Sequence, residues 1–252
     1  MPSTGDLYYF DSKKGEAESP IILIHGAGGT HLHWPYNLRR INNHRVFAPD
    51  LPGHGKSEGL GEQSVAKYAE IISNWVEKIG IKKAVFVGHS MGGAIAQTIA
   101  LKYPEKVAGL ILVSTGARLQ VNKDLLHKLS SAASTPAAVE NLIKWSYLQG
   151  TDAGFLAKMK EQLLQIRSSV LYGDFLACDG FDTTDDLSAV KAPTLIICGD
   201  QDKMTPIDLS KQLRTLISHA EFQIIPEAGH MVMLEKPEAV AKAVAAFIHT
   251  LG

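Results

Sequence analysis

Cysteine is scarce in this chain of 252 residues: only Cys178 and Cys198 occur. They form no C-x-x-C pair, which excludes a disulfide-stapled scaffold, a thioredoxin-like redox pair and a cysteine-rich zinc site. An excess of one charge is also lacking. Lys and Arg number 25 against 26 Asp and Glu, a net charge of −1. A nucleic-acid binder would show a basic excess, so that class of partner is not expected. No apolar run reaches the roughly 20 residues of a membrane span, so no membrane partner is expected either. The opening segment MPSTGDLYYFDSKKGEAESP has no basic stretch followed by an apolar one, hence no visible signal peptide. The expectation is a cytoplasmic protein. Repeats, low-complexity tracts and like-charge blocks are absent. What is present is 45% apolar and 20% charged residues, ordinary for a globular chain and too apolar for disorder.

Short apolar, β-rich runs alternate with amphipathic stretches. The runs are Ile21–His25, Arg45–Pro49, Ala84–Gly88, Leu110–Ser114, Thr194–Cys198 and Phe222–Ile225. Most are continuous in apolar residues, the pattern of strands covered on both faces of a parallel sheet. Between them, Ser64–Ile79 carries Val65, Tyr68, Ala69, Ile72, Trp75, Val76 and Ile79 in one helical stripe, with Gly80 as a stop. Met91–Tyr103 is a second helix, closed by Pro104, and Pro237–Leu251 a third with proline in its first turn. Alternating strands and helices predict an α/β fold with a doubly wound, mostly parallel sheet. One stretch breaks the alternation. Between Thr115 and Asp186 the patterns are helical, at Leu125–Ala133, Ala137–Tyr147 and Ala153–Leu164. The chain therefore divides into a core, residues 1–114 and 187–252, and an inserted helical cap, residues 115–186.

After the strand Ala84–Gly88 comes Gly88-His89-Ser90-Met91-Gly92, a G-x-S-x-G sequence between a buried strand and a helix. A nucleophile elbow needs this context: a sharp turn lifts one Oγ above the sheet edge, and flanking glycines leave room for it. The following helix aims its positive end at the place where negative charge would develop.

Five segments resemble the α/β-hydrolase superfamily, in particular its serine carboxylesterase-like enzymes with a helical cap. They are Ile21–Gly29 (IILIHGAGG), Ala48–Ser57 (APDLPGHGKS), Val87–Gly93 (VGHSMGG), Thr194–Pro206 (TLIICGDQDKMTP) and Ile224–Val232 (IIPEAGHMV), joined by Trp34. They come in family order and span nearly the whole chain. The resemblance implies Ser90 as nucleophile, followed in chain order by an acid and a histidine. Among His127, His219, His230 and His249, only His230 lies in a loop beyond a strand's carboxyl end, in Glu227-Ala228-Gly229-His230-Met231. Two aspartates compete for the acid, Asp200 and Asp202. The family spacing, Gly then Asp three residues on and Pro four beyond, fits Gly199, Asp202 and Pro206 and favours Asp202. The family's H-G-x-G segment matches His25-Gly26-Ala27-Gly28 and implies oxyanion donors at the Ala27 and Met91 amides.

Several residues carry weaker readings. His25 is expected to bond loop backbone, and His54 to shape the Pro52-Gly53-His54-Gly55 loop. His31 and His33 form an H-x-H without an adjacent acidic or Cys cluster, so a surface or cap-facing position is expected rather than a metal site. Trp34, Met204 and Met231 are candidate lining for a substrate pocket, as are Met91 and Met233. No metal and no cofactor is implied.

Ser90 stands where dehalogenases and epoxide hydrolases of the superfamily carry Asp, which argues against both. The resemblance implies a serine hydrolase that cleaves carboxylic esters of small or medium acyl chains, with a small-molecule ester as its partner. Three other activities use the same framework: C–C bond hydrolysis of a meta-cleavage-type product, perhydrolysis with peroxide in place of water, and ligand reception without turnover. Peroxide-dependent bromide oxidation marks perhydrolysis. Labelling by a fluorophosphonate without ester turnover marks a receptor.

Overall fold

The computed structural model describes residues 3–4, 7–15 and 19–251. Their strands are β1 (Ser3–Thr4), β2 (Leu7–Asp11), β3 (Ile21–Ile24), β4 (Val46–Pro49), β5 (Ala84–His89), β6 (Val107–Val113), β7 (Thr194–Gly199) and β8 (Glu221–Ile225). They form one sheet in the order β1-β2-β4-β3-β5-β6-β7-β8. Strands β1 and β2 run antiparallel to their neighbours, and the rest of the sheet is parallel. The helices are α1 (Val65–Lys78), α2 (Met91–Lys102), α3 (Lys123–Leu129), α4 (Thr135–Ser146), α5 (Ala153–Leu164), α6 (Ser168–Asp179), α7 (Ile207–Leu216), α8 (Val232–Glu235) and α9 (Pro237–His249).

The continuous apolar runs have the cause expected of them. In β3, Ile22 and Ile24 belong to one hydrophobic core with Tyr68, Ile72 and Ile99 of α1 and α2. Ile21 and Leu23 belong to the core on the other face, with Val240, Val244 and Phe247 of α9. Alternate side chains enter opposite layers, so both must be apolar.

Five strands and helices escape the sequence pattern, the two-residue strand β1 among them. Strand β2 (LYYFD) is short, and its partner β4 lies far along the chain. Helix α6 is buried on nearly all sides, so it lacks an amphipathic stripe. Helix α7 was hidden behind the GDQDKMTP loop, and α8 is a single turn. Helix α3 stops at Leu129, short of the expected Ala133. There Ser130 Oγ donates to the His127 carbonyl at 2.8 Å and Ser134 Oγ to the Lys128 carbonyl at 2.7 Å, so hydroxyls take over from the helical ladder.

Helices α3 to α6 all lie between β6 and β7 in the chain. Strand order reverses around β3: the chain passes from β4 on one side of it to β5 on the other. In open α/β sheets such a switch point opens a crevice at the carboxyl ends of the strands. Ala27 follows β3, Ser90 follows β5, Asp202 follows β7 and His230 follows β8, so all four stand at that edge.

Candidate active site

Ser90 sits at the turn from β5 into α2 with φ 52° and ψ −118°. Positive φ is rare for a residue with a Cβ, and this combination is the first central position of a type II′ turn, where glycine dominates. The conformation is held from outside: the Ser90 N–H donates to the Val113 carbonyl at 2.9 Å, and Thr115 Oγ1 donates to the Ser90 carbonyl at 2.9 Å. The two motif glycines are required by contact. A Cβ on Gly88 would overlap the Gly92 carbonyl oxygen, and one on Gly92 would overlap the Ile24 carbonyl oxygen.

The two aspartates separate by environment. Asp202 is buried, and His230 Nδ1 donates to its Oδ2 at 2.9 Å. Asp202 Oδ1 also accepts the Met204 and Thr205 N–H groups, both at 2.8 Å, and Thr205 Oγ1 donates to Oδ2 at 2.7 Å. Burial alone would raise the carboxyl's pKa. The charge and hydrogen bond of His230 and the Thr205 donors outweigh it and hold the pKa below the usual range. Asp200 is exposed, and its carboxylate accepts the Ala228 N–H at 3.3 Å.

With Nδ1–H committed to Asp202, Nε2 is the ring nitrogen of His230 left to take up a proton. His89 braces the same loop. Its Nε2 donates to the His230 carbonyl at 3.0 Å and its ring lies 4.7 Å from the His230 ring. Burial, and then the neighbouring His230, push the His89 pKa well down, so it stays neutral. The other three candidate histidines, His127, His219 and His249, are exposed.

In the loop after β3, Ala27 lies in a turn closed by the Gly29 N–H donating to the Gly26 carbonyl at 3.0 Å. His25 accepts the Leu51 N–H on Nε2 at 3.0 Å, which leaves Nδ1–H to donate to the Gly26 carbonyl at 2.8 Å. That carbonyl belongs to the same peptide group as the Ala27 N–H, so His25 sets where the amide points. Burial, then His54, push the His25 pKa down to about 3. The Met91 N–H belongs to the first turn of α2, where amides have no intrahelical acceptor.

Two cavities meet at Ser90. One, of about 80 Å³, is lined by Ala27, His230, Met231, Tyr147 and Met159. The other, of about 370 Å³, is lined by Leu119, Leu125, Trp145, Lys203 and Leu209. Ser90, Phe175, Cys178 and Met204 line both. Of the expected pocket residues, Met204 and Met231 line a cavity at Ser90. Trp34 does not: it is fully buried in the core with Phe10 and Leu38 and lines neither cavity. Met91 and Met233 are likewise core residues. His31 departs from its expected surface position. It is buried, and its ring Nδ1 and backbone N–H both meet Asp50 Oδ1, at 2.8 and 2.7 Å. His33 faces the smaller cavity and accepts the Thr30 N–H at 3.0 Å. Among the described residues no group of three His, Cys, Asp or Glu could hold a metal ion, and no helix is long and apolar enough to cross a membrane.

The sequence patterns missed His89, Tyr147, Phe175 and Cys178. His89 carried a signal, as the variable residue beside the motif serine. The others come from the inserted helices, where residue type alone does not separate cavity lining from core. Cys178 is no rival nucleophile, because burial, then Asp174 and Asp179, raise its thiol pKa far above neutrality.

Known proteins resemble this chain over most of its length. A family model described as alpha/beta hydrolase fold matches residues 19–237. The chain is 31% identical over 93% of its length to the dihydrolipoyllysine-residue acetyltransferase component of an acetoin cleaving system from Pseudomonas putida, and spans 64% of that relative. It is 29% identical to a 2-hydroxy-6-oxo-6-phenylhexa-2,4-dienoate hydrolase from Burkholderia cepacia, over 92% of the chain and 87% of the relative. Among solved structures, a thermophilic esterase superposes with a TM-score of 0.84 at 32% identity, covering 98% of each chain. A G-x-S-x-G elbow, a parallel sheet that reverses at β3 and a match over most of the sequence have one common explanation: the chain belongs to the alpha/beta hydrolase fold family and is a hydrolase.

Proposed function

We propose that this protein is a serine hydrolase that cleaves carboxylic esters of small or medium acyl chains through an acyl-enzyme, with helices α3 to α6 acting as a cap over the site. The observation that carries the reading is the buried Asp202–His230 pair, whose imidazole opens onto a cavity shared with the strained Ser90. His230 Nε2 takes the Ser90 Oγ proton as Oγ attacks the ester carbonyl. The Ala27 and Met91 amides hold the oxyanion. His230 then gives its proton to the leaving alcohol and activates a water that releases the acid. Asp202 keeps the Nδ1–H tautomer and stabilises the imidazolium. Position favours the smaller cavity for the leaving group, since His230 and Ala27 line it and not the larger one.

A second reading is C–C bond hydrolysis, supported by the likeness to the dienoate hydrolase. Assays on p-nitrophenyl esters of increasing acyl length, beside a vinylogous 1,5-diketone, separate the two. Ser90→Ala should lower turnover of the true substrate by about 10⁴-fold or more. Undiminished ester turnover in that variant would sink the assignment, and turnover of the diketone alone would select the second reading.

A further inference from the structure

Asp174 is a fully buried carboxylate in the middle of α6, one of the four inserted helices. Its neighbours Phe175 and Cys178 line both cavities at Ser90, but Asp174 itself reaches three segments of the core. Its Oδ2 accepts the Gly28 N–H at 2.8 Å and faces His54 Nε2 at 2.7 Å. Its Oδ1 accepts the Tyr68 hydroxyl proton at 2.7 Å, and that hydroxyl in turn accepts the Glu62 N–H at 2.8 Å. The other nitrogen of His54 faces the Pro52 carbonyl at 3.0 Å. Both His54 nitrogens therefore meet acceptors, so the ring donates from both and carries a charge opposite Asp174. Burial disfavours that charge, but the Asp174 carboxylate outweighs it and raises the His54 pKa.

The Gly28 bond matters because of what it flanks. The peptide before Ala27 is fixed through its carbonyl by His25 Nδ1–H. The peptide after Ala27 is fixed through the Gly28 N–H by Asp174. Ala27 is thus pinned on both sides, from the core on one side and from the inserted helices on the other. Gly28 has φ +62°, and a Cβ there would lie 2.8 Å from side-chain carbons of Leu163 and Leu171, so the inserted helices also pack directly on this loop.

We infer that Asp174 is a positioning residue for the oxyanion loop, coupling the seating of the inserted helices to the aim of the Ala27 amide. The inference rests on the ester-hydrolase reading for its chemical readout, but its structural readout is independent of that reading. Full loss of one oxyanion donor costs about 10²–10³-fold in kcat, which is the ceiling for misplacing one.

The test compares Asp174→Asn and Asp174→Ala with Tyr68→Phe. The last removes a donor from the same carboxylate and leaves the Gly28 bond intact. Amide hydrogen exchange at Ala27 and Gly28 reads the loop without substrate. The rate of Ser90 phosphonylation by an alkyl fluorophosphonate, which forms a P–O bond and expels fluoride, reads the oxyanion donors. All are measured well below each variant's unfolding midpoint. Exchange at both amides is expected to quicken at least about tenfold in Asp174→Asn, and phosphonylation to slow by about 10-fold there and up to about 100-fold in Asp174→Ala. Tyr68→Phe should lower the unfolding midpoint yet keep both rates near those of the unsubstituted protein. Unchanged exchange in the Asp174 variants, or equal effects from Tyr68→Phe, would overturn the inference. Failure of the unsubstituted protein to react with the fluorophosphonate would overturn the hydrolase reading, leaving hydrogen exchange to decide the role of Asp174.

Discussion

Replacing the motif serine by glycine should make the protein more stable, although glycine normally weakens folded structure. Ser90 is held at φ 52° and ψ −118°, a conformation that glycine adopts freely and a residue with a Cβ does not. Holding such a residue costs about 1–3 kcal/mol. Glycine offsets part of the relief, because its unfolded chain is more flexible by about 0.4–1 kcal/mol. The balance is a net gain of roughly 1 kcal/mol for Ser90→Gly, from the middle of both ranges. For a chain of this length that is about 2–4 °C in the unfolding midpoint. The comparison is with Ser90→Ala, which loses the hydroxyl but keeps the Cβ and the strain. Equilibrium urea unfolding of both variants, with calorimetry where unfolding reverses, measures the difference. At an unstrained site glycine would be the less stable of the two by about 0.5–1 kcal/mol. That sign at position 90 would refute the argument that the elbow stores strain. The proposed chemistry adds that both variants lose ester turnover, so strain and activity separate in one pair of proteins.

Two further outcomes follow from the site. Asp202→Asn should lower kcat by about 10³–10⁴-fold through loss of the His230 tautomer. Asp200→Asn, at an exposed carboxylate, should stay within about twofold of the unsubstituted enzyme, and a comparable loss there would reverse the choice of acid. Stability should also fall as the solution is acidified from neutrality. Burial depresses the pKa of His25 to about 3 and that of His89 well below its usual value. Below the unfolded histidine value, near about 6.5, the unfolded chain binds protons that the folded chain refuses. Their stabilisation is therefore complete above that pH and is lost toward the folded values, by about 1.4 kcal/mol per pH unit for each ring. His54, whose pKa is raised by Asp174, acts in the opposite sense and offsets at most about one of the two rings, so a net loss is still expected. Urea unfolding at pH 7.5 and 5.5 tests it, and equal or higher free energy at pH 5.5 would contradict the burial of His25 and His89 as neutral groups.

The sequence by itself determined the parts of this protein that local rules govern. Five of the strands announce themselves because side chains entering two cores must all be apolar, as in β3 and β5, whereas β8, with Gln223 and Ile224 exposed, shows only as a short β-rich run. The elbow is legible because a strand, a serine between spaced glycines and a helix follow one another directly at 84–102. Resemblance to the family, through the spacing Gly199, Asp202, Pro206, rather than any local rule, picked the aspartate that meets His230. Tertiary structure decided what depends on partners distant in the chain. Strand β2 exists because β4 pairs with it. Trp34, a candidate for the pocket, fills a core, and His31, expected at the surface, is buried against Asp50. Asp174 is the clearest case. It stands in an apolar stretch, VLYGDFLAC, and its partners are Gly28, His54 and Tyr68, more than a hundred residues away. A carboxylate is stable in the interior only where donors converge on it, and convergence belongs to the fold rather than to any one segment.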